Sequence, residues 1–403
     1  MFPRFALYGF LKNLRFFDPF LILIFREAGL SFLQIGSLYA VRDVATNLLE
    51  VPTGVFADAF GRRKSMLMAF GAYIVSFLVF YALAGFGWYA LAMVFFAFGE
   101  AFRSGTHKAL ILEYLRLTGR ENEKVSYYGR TRSASQFGSA VNALIAAGLV
   151  FYTGHYRTMF LAATVPYVLD FINLLTYPPE LDGELRQVHA DAIWEQTRAT
   201  LHDFKRMFTE PHALRAIGNS AAFSALFKAA KDYLQPIMES FALSLPLFLA
   251  LSDKRRSALV IGAVYFVIYL ATSYASRSAD RFSRRFSSLG RAINLSFLLG
   301  AGLLILAGFA TWVNLTILAI AAFLGFYVLH NLRRPMNVAF ISDQIASRVM
   351  ASGLSVESQG TTLLTAGFAL LLGALADALG VGTALAALGA LTLLLYALIR
   401  VQE

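Results

Sequence analysis

The chain contains no cysteine. Disulfides, thiolate metal sites and thiol nucleophiles are therefore excluded. Charge is also scarce, at 15% of 403 residues, against 58% hydrophobic residues. No G-x-x-x-x-G-K-[ST] loop occurs, so ATP is not expected as the driving reagent. The six histidines show no H-E-x-x-H or comparable ligand spacing. A metal or other cofactor is not expected. Acids are fewer than bases, 25 against 35, for a formal net charge of +10. In a soluble protein that excess would suggest nucleic acid. Here many of the bases fall between apolar stretches, so no nucleic-acid partner is expected.

What is present is apolar sequence in long runs. A single soluble core cannot hide this fraction of apolar surface, and the lipid bilayer becomes the expected partner. Each crossing needs about 20 apolar residues. Twelve spans are read: 5–27, 32–57, 65–85, 88–113, 126–152, 157–177, 213–243, 257–275, 287–309, 315–343, 348–376 and 381–400. The N-terminus enters the first span directly, and Lys12, Arg15 and Asp18 break any signal-like apolar core. Lys and Arg crowd the even-to-odd loops, as in Arg62, Arg63 and Lys64. The positive-inside bias then places both termini in the cytoplasm. Lys254, Arg255 and Arg256 in loop 7–8 run against it. The expected organisation is a six-helix bundle at 1–177, a linker at 178–212 and a second bundle at 213–403. Ile193, Trp194, Thr197, Leu201, Phe204 and Phe208 give the linker the spacing of an amphipathic helix on the membrane face.

One loop is the most specific motif. Gly54-Val-Phe-Ala-Asp58-Ala-Phe-Gly61-Arg62-Arg63-Lys64 joins spans 2 and 3. A degraded copy, Ser276-Arg-Ser-Ala-Asp280-Arg-Phe-Ser283-Arg284-Arg285, lies 222 positions on. The pattern G-x-x-x-D-x-x-G-R-R-K resembles the loop 2–3 signature of the major facilitator superfamily. That resemblance covers essentially the whole chain. It implies an all-α membrane protein of twelve transmembrane helices in two pseudo-two-fold related bundles, working by alternating access as a secondary transporter and not as an enzyme. It also implies that spans 1, 4, 7 and 10 line a central cavity, and that the loop is a gate. Carried over, Asp58 faces the start of span 11 near Arg348 to Ser352, and Arg62 meets Glu113. Asp280, Arg284 and Asp343 repeat those roles, with Ser276 and Ser283 in place of Gly54 and Gly61. Span 5 has no proline after Gly148, so the Gly-Pro signature of the drug–proton antiporter branch is missing.

The cavity spans carry more charge than lipid-facing helices tolerate. Lys12 and Arg15 are three apart, so they share one helical face. Lys228 and Lys231 repeat the pair in span 7. Span 4 adds Glu100 and Arg103, and span 10 adds Arg333. With Asp232 these are the candidate substrate-binding residues. Two readings stay open. The cations attract an anion, for which Arg offers a planar fork and Lys a compact charge. Alternatively, each cation pairs with an acid, such as Arg15 with Glu100 or Lys231 with Asp232. Asp43, Asn47 and Glu50 form a polar stripe in span 2, and the matching positions of the second half hold no acid. Glu50, Glu100 and Asp43 are the candidate proton carriers, since burial raises a carboxyl pKa. Asp43 and Glu50 equally suit pairing with Arg42 or nearby cations, and Glu357 in span 11 has the same ambiguity. The functional expectation is a transporter of a small organic anion, coupled to protons or working by exchange. It is expected as a monomer in a bacterial inner (plasma) membrane. Export of amphipathic or cationic drugs and flipping of lipids or lysolipids are the alternatives.

Overall fold

A computed structural model of the protein describes residues 1–182, 198, 211–344 and 350–402. The linker residues from Ile193 to Phe208 with the amphipathic spacing lie outside them. Among the described residues the regular structure is helical, with no strand. Twelve spans are present. Span 1 comprises Phe2–Leu11 and Leu21–Glu27, span 2 is Phe32–Phe60, span 3 Arg62–Ala82, and span 4 Phe86–Arg103 with Thr106–Leu117. Span 5 is Lys124–Thr153, span 6 Thr158–Leu175, and span 7 Pro211–Ala230 with Leu234–Ser244. Spans 8 to 12 are Asp253–Arg277, Leu289–Trp312, Thr316–Gln344, Met350–Leu379 and Val381–Ile399. Eight of these helices are long and apolar enough to cross a membrane unaided. The other four spans are 1, 4 and 7, which are broken, and 2, which is long but carries Arg42, Asp43, Glu50 and Asp58.

The breaks correct the expectation that Lys12 and Arg15 share one helical face. The first helix stops at Leu11, and helical structure resumes only at Asp18. Freed carbonyls in a membrane must find donors inside the protein. Here Tyr167 Oη donates to the Lys12 carbonyl at 3.0 Å, and Asn142 Nδ2 to the Arg15 carbonyl at 3.2 Å. Asn13 Nδ2 reaches the carbonyls of Gly9 and Ser135 at 2.7 and 3.0 Å. Span 7 breaks likewise. Lys228 lies in the last turn of its first helix, and Lys231 opens a 3-10 turn. In span 4 the break falls at Gly105, whose φ of +71° is a left-handed conformation that favours glycine.

Packing divides the chain into two units: Met1–Ile24 with Val41–Thr197, and Phe25–Ala40 with Arg198–Glu403. The hairpin joining spans 1 and 2 thus packs with the second unit. Its anchor is Asp377, near the end of span 11. Both Asp377 carboxylate oxygens accept from the first amides of span 2, Phe32 and Leu33, each at 2.8 Å. A carboxylate at a helix start satisfies orphan donors and meets the positive end of the dipole. Gly36 lies so near the Ala369 carbonyl, and Gly373 so near that of Phe32, that a Cβ on either would clash. Loss of such a cap costs about 1 kcal/mol, which is roughly a five-fold change in an equilibrium. Asp377→Ala should therefore speed maleimide labelling of Leu38→Cys, otherwise buried, by roughly that factor. The cysteine-free chain gives the assay no background. An unchanged rate would show that Asp377 does not hold the hairpin.

Two of the three bases in loop 7–8 now have an explanation. Arg256 donates to the carbonyls of Ala242, Leu243 and Leu245 at the end of span 7, at 3.2, 3.2 and 2.6 Å. Lys254 pairs with Glu27. These cations serve helix termini and a neighbouring acid, so they are poor counters of topology.

Candidate functional site

The first unit gathers a compact ionic cluster at the breaks of spans 1 and 4. Glu100 stands between two guanidinium groups, with Arg15 at 2.6 Å on one carboxylate oxygen and Arg103 at 2.5 Å on the other. Each arginine has a tyrosine behind it. Arg15 Nε donates to Tyr167 Oη at 2.6 Å, and Arg103 Nε to Tyr73 Oη at 3.0 Å. The Arg15 guanidinium also lies over Tyr73 and Phe96, 5.4 and 5.0 Å from their ring centres. Charge-assisted bonds of this kind are roughly twice as strong as neutral ones. Such contacts fix both forks.

Lys12 stands beside this cluster, with its ammonium 5.8 Å from the Tyr8 ring centre. Tyr8 stacks on His107, centroids 3.6 Å apart, and His107 Nε2 lies 3.4 Å from Tyr177 Oη. Behind them Asp170 is fully buried and takes a hydrogen bond from Asn173 at 3.2 Å. Glu100 thus faces two guanidiniums, with the Lys12 ammonium close by. All four side chains of the cluster are only partly buried. Internal pairing and an excess of cations are both present, so the two sequence readings are not exclusive.

The second unit arranges its residues differently. Lys231 pairs with Asp232 at 2.6 Å, and Tyr39 Oη donates to the other Asp232 oxygen at 3.3 Å. Lys228 is exposed. His330 stacks on Phe227 with centroids 3.8 Å apart. Arg333 departs from the sequence expectation most. It is 1% exposed and donates to Asn219 Oδ1 at 2.7 Å, Ser296 Oγ at 2.9 Å and the Ile293 carbonyl at 2.5 Å. Its guanidinium also lies 4.2 Å from the Phe223 ring centre. Neutral partners deep in the bundle hold it, which places it among packing residues instead of substrate contacts.

Of the candidate proton carriers, Asp43 pairs with its neighbour Arg42 at 2.8 Å, and Glu100 is held by two arginines. Glu50 accepts from Ser104 Oγ at 3.3 Å. Among the gate residues, Arg62 and Glu113 do meet, at 3.8 Å, though Arg116 sits closer to Glu113 at 2.6 Å. Gly54 and Asp58 are exposed on the last turns of span 2. Gly61 has φ +104°, and a Cβ there would lie 2.6 Å from Asp182 Cγ. That acid takes the Arg63 amide at 2.6 Å, and the Arg63 side chain donates to the Tyr177 carbonyl at 3.0 Å. Asp182 was not legible in the sequence, because nothing marks an acid at the mouth of the linker as a helix cap. Asp280 and Arg284 are exposed and pair with each other at 3.0 Å. The side chain of Asp343, residues 348–349 and the side chains of 350–352 lie outside what the structure describes.

Comparison with known proteins gives a consistent pattern. The sequence profile described as Major Facilitator Superfamily matches residues 6–360. The uncharacterized MFS-type transporter YxaM of Bacillus subtilis (strain 168) is 30% identical over 156 residues, 39% of this chain and 38% of that protein. The match thus spans well under half of the relative's length. Among solved structures, a mutant of the nucleoside transporter NupG has a TM-score of 0.78 at 12% identity, covering 99% of this chain and 98% of that one. A POT family transporter in complex with 5-aminolevulinic acid has a TM-score of 0.73 at 15% identity, covering 99% and 95%. At such identities the likeness concerns the fold alone.

Proposed function

The chain belongs to the major facilitator superfamily, as an integral membrane secondary transporter and not an enzyme, and from that premise we propose that it carries a small organic anion, coupled to protons or by exchange. The setting that fits is a bacterial inner (plasma) membrane, with both termini in the cytoplasm. The observation that carries this reading is the cluster at the breaks of spans 1 and 4, where Arg15 and Arg103 share the single carboxylate of Glu100. Each guanidinium offers five donors, and one carboxylate cannot saturate two forks. An arriving carboxylate or phosphate takes the unsatisfied donors and competes with Glu100 for one arginine. Lys12 adds a third cation. Tyr8, Tyr73 and Phe96 are buried and pack against these cations. Lys228 and Lys231 are the second unit's candidate cations, whereas both terminal nitrogens of Arg333 already donate within the bundle.

Discontinuous spans suit this task. A broken helix in a membrane exposes backbone dipoles and side chains that a continuous helix would hide. Substrate binding is then linked to a shift between conformers by its differential affinity for them.

The test is a thermal-shift screen of the purified protein against carboxylates, phosphates, lysolipids and cationic drugs. A ligand that binds the folded form raises the melting temperature. A carboxylate or phosphate should stabilise the wild-type chain and fail to stabilise Arg103→Ala. If only cationic drugs stabilise it, the anion reading is wrong and export of cations takes its place. If only lysolipids do, the cargo is a lipid headgroup.

A further inference from the structure

The second unit holds a polar cluster that none of these roles uses. It lies where spans 7, 10 and 11 pack. Glu357 sits about two turns inside span 11, half-buried. Its Oε1 accepts from Ser220 Oγ of span 7 at 2.9 Å and from Thr361 Oγ1, one turn along span 11, at 3.4 Å. Asn337 Nδ2 of span 10 donates to Ser220 Oγ at 3.1 Å. That bond fixes the direction of the next, because a hydroxyl that accepts from the amide is free to donate to the carboxylate. Among the described residues no ion pair forms on Glu357.

The neighbouring position on span 7 sharpens the contrast. Asn219 holds Arg333, and Ser220 holds Glu357. A buried cation and a half-buried acid thus attach to adjacent residues of one helix, yet each is held by neutral partners. Other charged or titratable groups on the helices packed here include His212, Arg215 and Lys228 on span 7, Tyr327, His330, Arg334 and Asp343 on span 10, Asp377 on span 11, and Tyr396 and Arg400 at span 12. His330 stacks on Phe227, and none of them forms an ion pair with Glu357 among the described residues. Three of the other candidate acids contrast with it. Glu100 has two arginines, Asp43 has Arg42, and Asp232 has Lys231.

We propose that Glu357 is the chain's proton-binding site, with Ser220, Thr361 and Asn337 as its positioning residues. A carboxylate inside a span costs several kcal/mol without a counter-charge, and a proton is the smallest counter-charge available. The carboxylate takes a proton from water on one side and returns it to water on the other, so no further reactant is needed. The hydroxyl contacts suit both states. They donate to the carboxylate, and a hydroxyl oxygen can accept from the protonated acid. An acid already clamped by an arginine has no comparable need of a proton. The assignment rests on the proton-coupled reading above, but not on the charge of the cargo.

The test therefore needs no substrate. Infrared difference spectra are recorded on wild-type protein in lipid as the buffer is exchanged from mildly acidic to alkaline. The carbonyl stretch of a protonated carboxyl group should disappear on the alkaline side. Glu357→Gln should lose that difference band entirely. Ser220→Ala removes one hydrogen bond and should shift the band's frequency. If Glu357→Gln does not fold, the Ser220→Ala shift decides the matter. A full band in Glu357→Gln overturns the proposal, as does an unshifted band in Ser220→Ala. A band that vanishes when sodium chloride is added at constant acidic pH also overturns it, since the site would then bind a metal cation. Failure here leaves the anion screen untouched, and failure of the screen leaves this test standing.

Discussion

Glu100→Ala should lower the melting temperature by on the order of 10 °C and enlarge anion-induced stabilisation, because the carboxylate that competes for the two arginines is gone. The carboxylate lies between Arg15 and Arg103 at 2.6 and 2.5 Å, and removing it leaves two guanidiniums facing each other with no acid between them. Breaking a buried pair by deleting one partner costs about 3–5 kcal/mol, because an uncompensated charge remains. For a unit of this size each kcal/mol corresponds to roughly 2–4 °C. Partial exposure of all three side chains reduces the penalty, and the lower half of that range is the fair expectation. The double variant Glu100→Gln with Arg103→Gln removes one charge of each sign and should recover most of the loss. Differential scanning fluorimetry of the three proteins checks the ordering. A Glu100→Ala protein as stable as wild type would mean that lipid or water screens the cluster, and that the arginines are not held by the acid.

That ordering also bears on mechanism. A cluster whose cations depend on one acid stays folded when an anion arrives, because the anion can take over part of the acid's work. Binding energy is thereby tied to a rearrangement at the breaks of spans 1 and 4. Had each cation its own acid, an arriving anion would find no unsatisfied fork and would gain little from displacing one.

Much of this was legible in the sequence. The apolar runs gave the number of spans, and the loop at Gly54–Lys64 gave the family. The residues of the ionic cluster were also found, since a charged side chain in an apolar run is conspicuous. Their geometry was not. Helical spacing placed Lys12 and Arg15 on one face, but the helix ends at Leu11, where Tyr167 and Asn142 satisfy the opened backbone from elsewhere in the chain. No local rule reveals a partner more than a hundred residues away. The capping acids Asp182 and Asp377 were missed for the same reason, as each serves a helix remote in sequence. Arg333 was misread because the repeat aligns it with Arg103. Alignment fixes the backbone position, while the direction of a long side chain follows from what stands within its reach. Arg103 finds Glu100 one turn away, whereas span 10 offers no acid at the equivalent place. The guanidinium turns instead to Asn219, Ser296 and a carbonyl.

The difference between those two arginines makes the second large prediction. Arg333→Ala should destabilise the folded protein by about 3–5 kcal/mol, with loss of most of the monodisperse material on gel filtration. The substitution empties a volume lined by Phe223 and Phe297, and it leaves the Ile293 carbonyl, Ser296 Oγ and Asn219 Oδ1 without their donor. Arg333→Lys should rescue little, because one ammonium on a flexible stem cannot reproduce a planar fork that reaches span 7 and span 9 together. Arg333→Met keeps the volume and removes the charge. Replacing a buried ion by an apolar group of similar size is often neutral, provided its partners find other bonds. Here Ser296 and Asn219 are uncharged and partly self-sufficient, so Arg333→Met should fold better than Arg333→Lys. Arg103→Ala gives the opposite signature. Its acid partner Glu100 is partly exposed and keeps Arg15, so the variant should fold and fail in binding. Equal stability of Arg333→Ala and Arg103→Ala would place both arginines in the same role and return Arg333 to the substrate site.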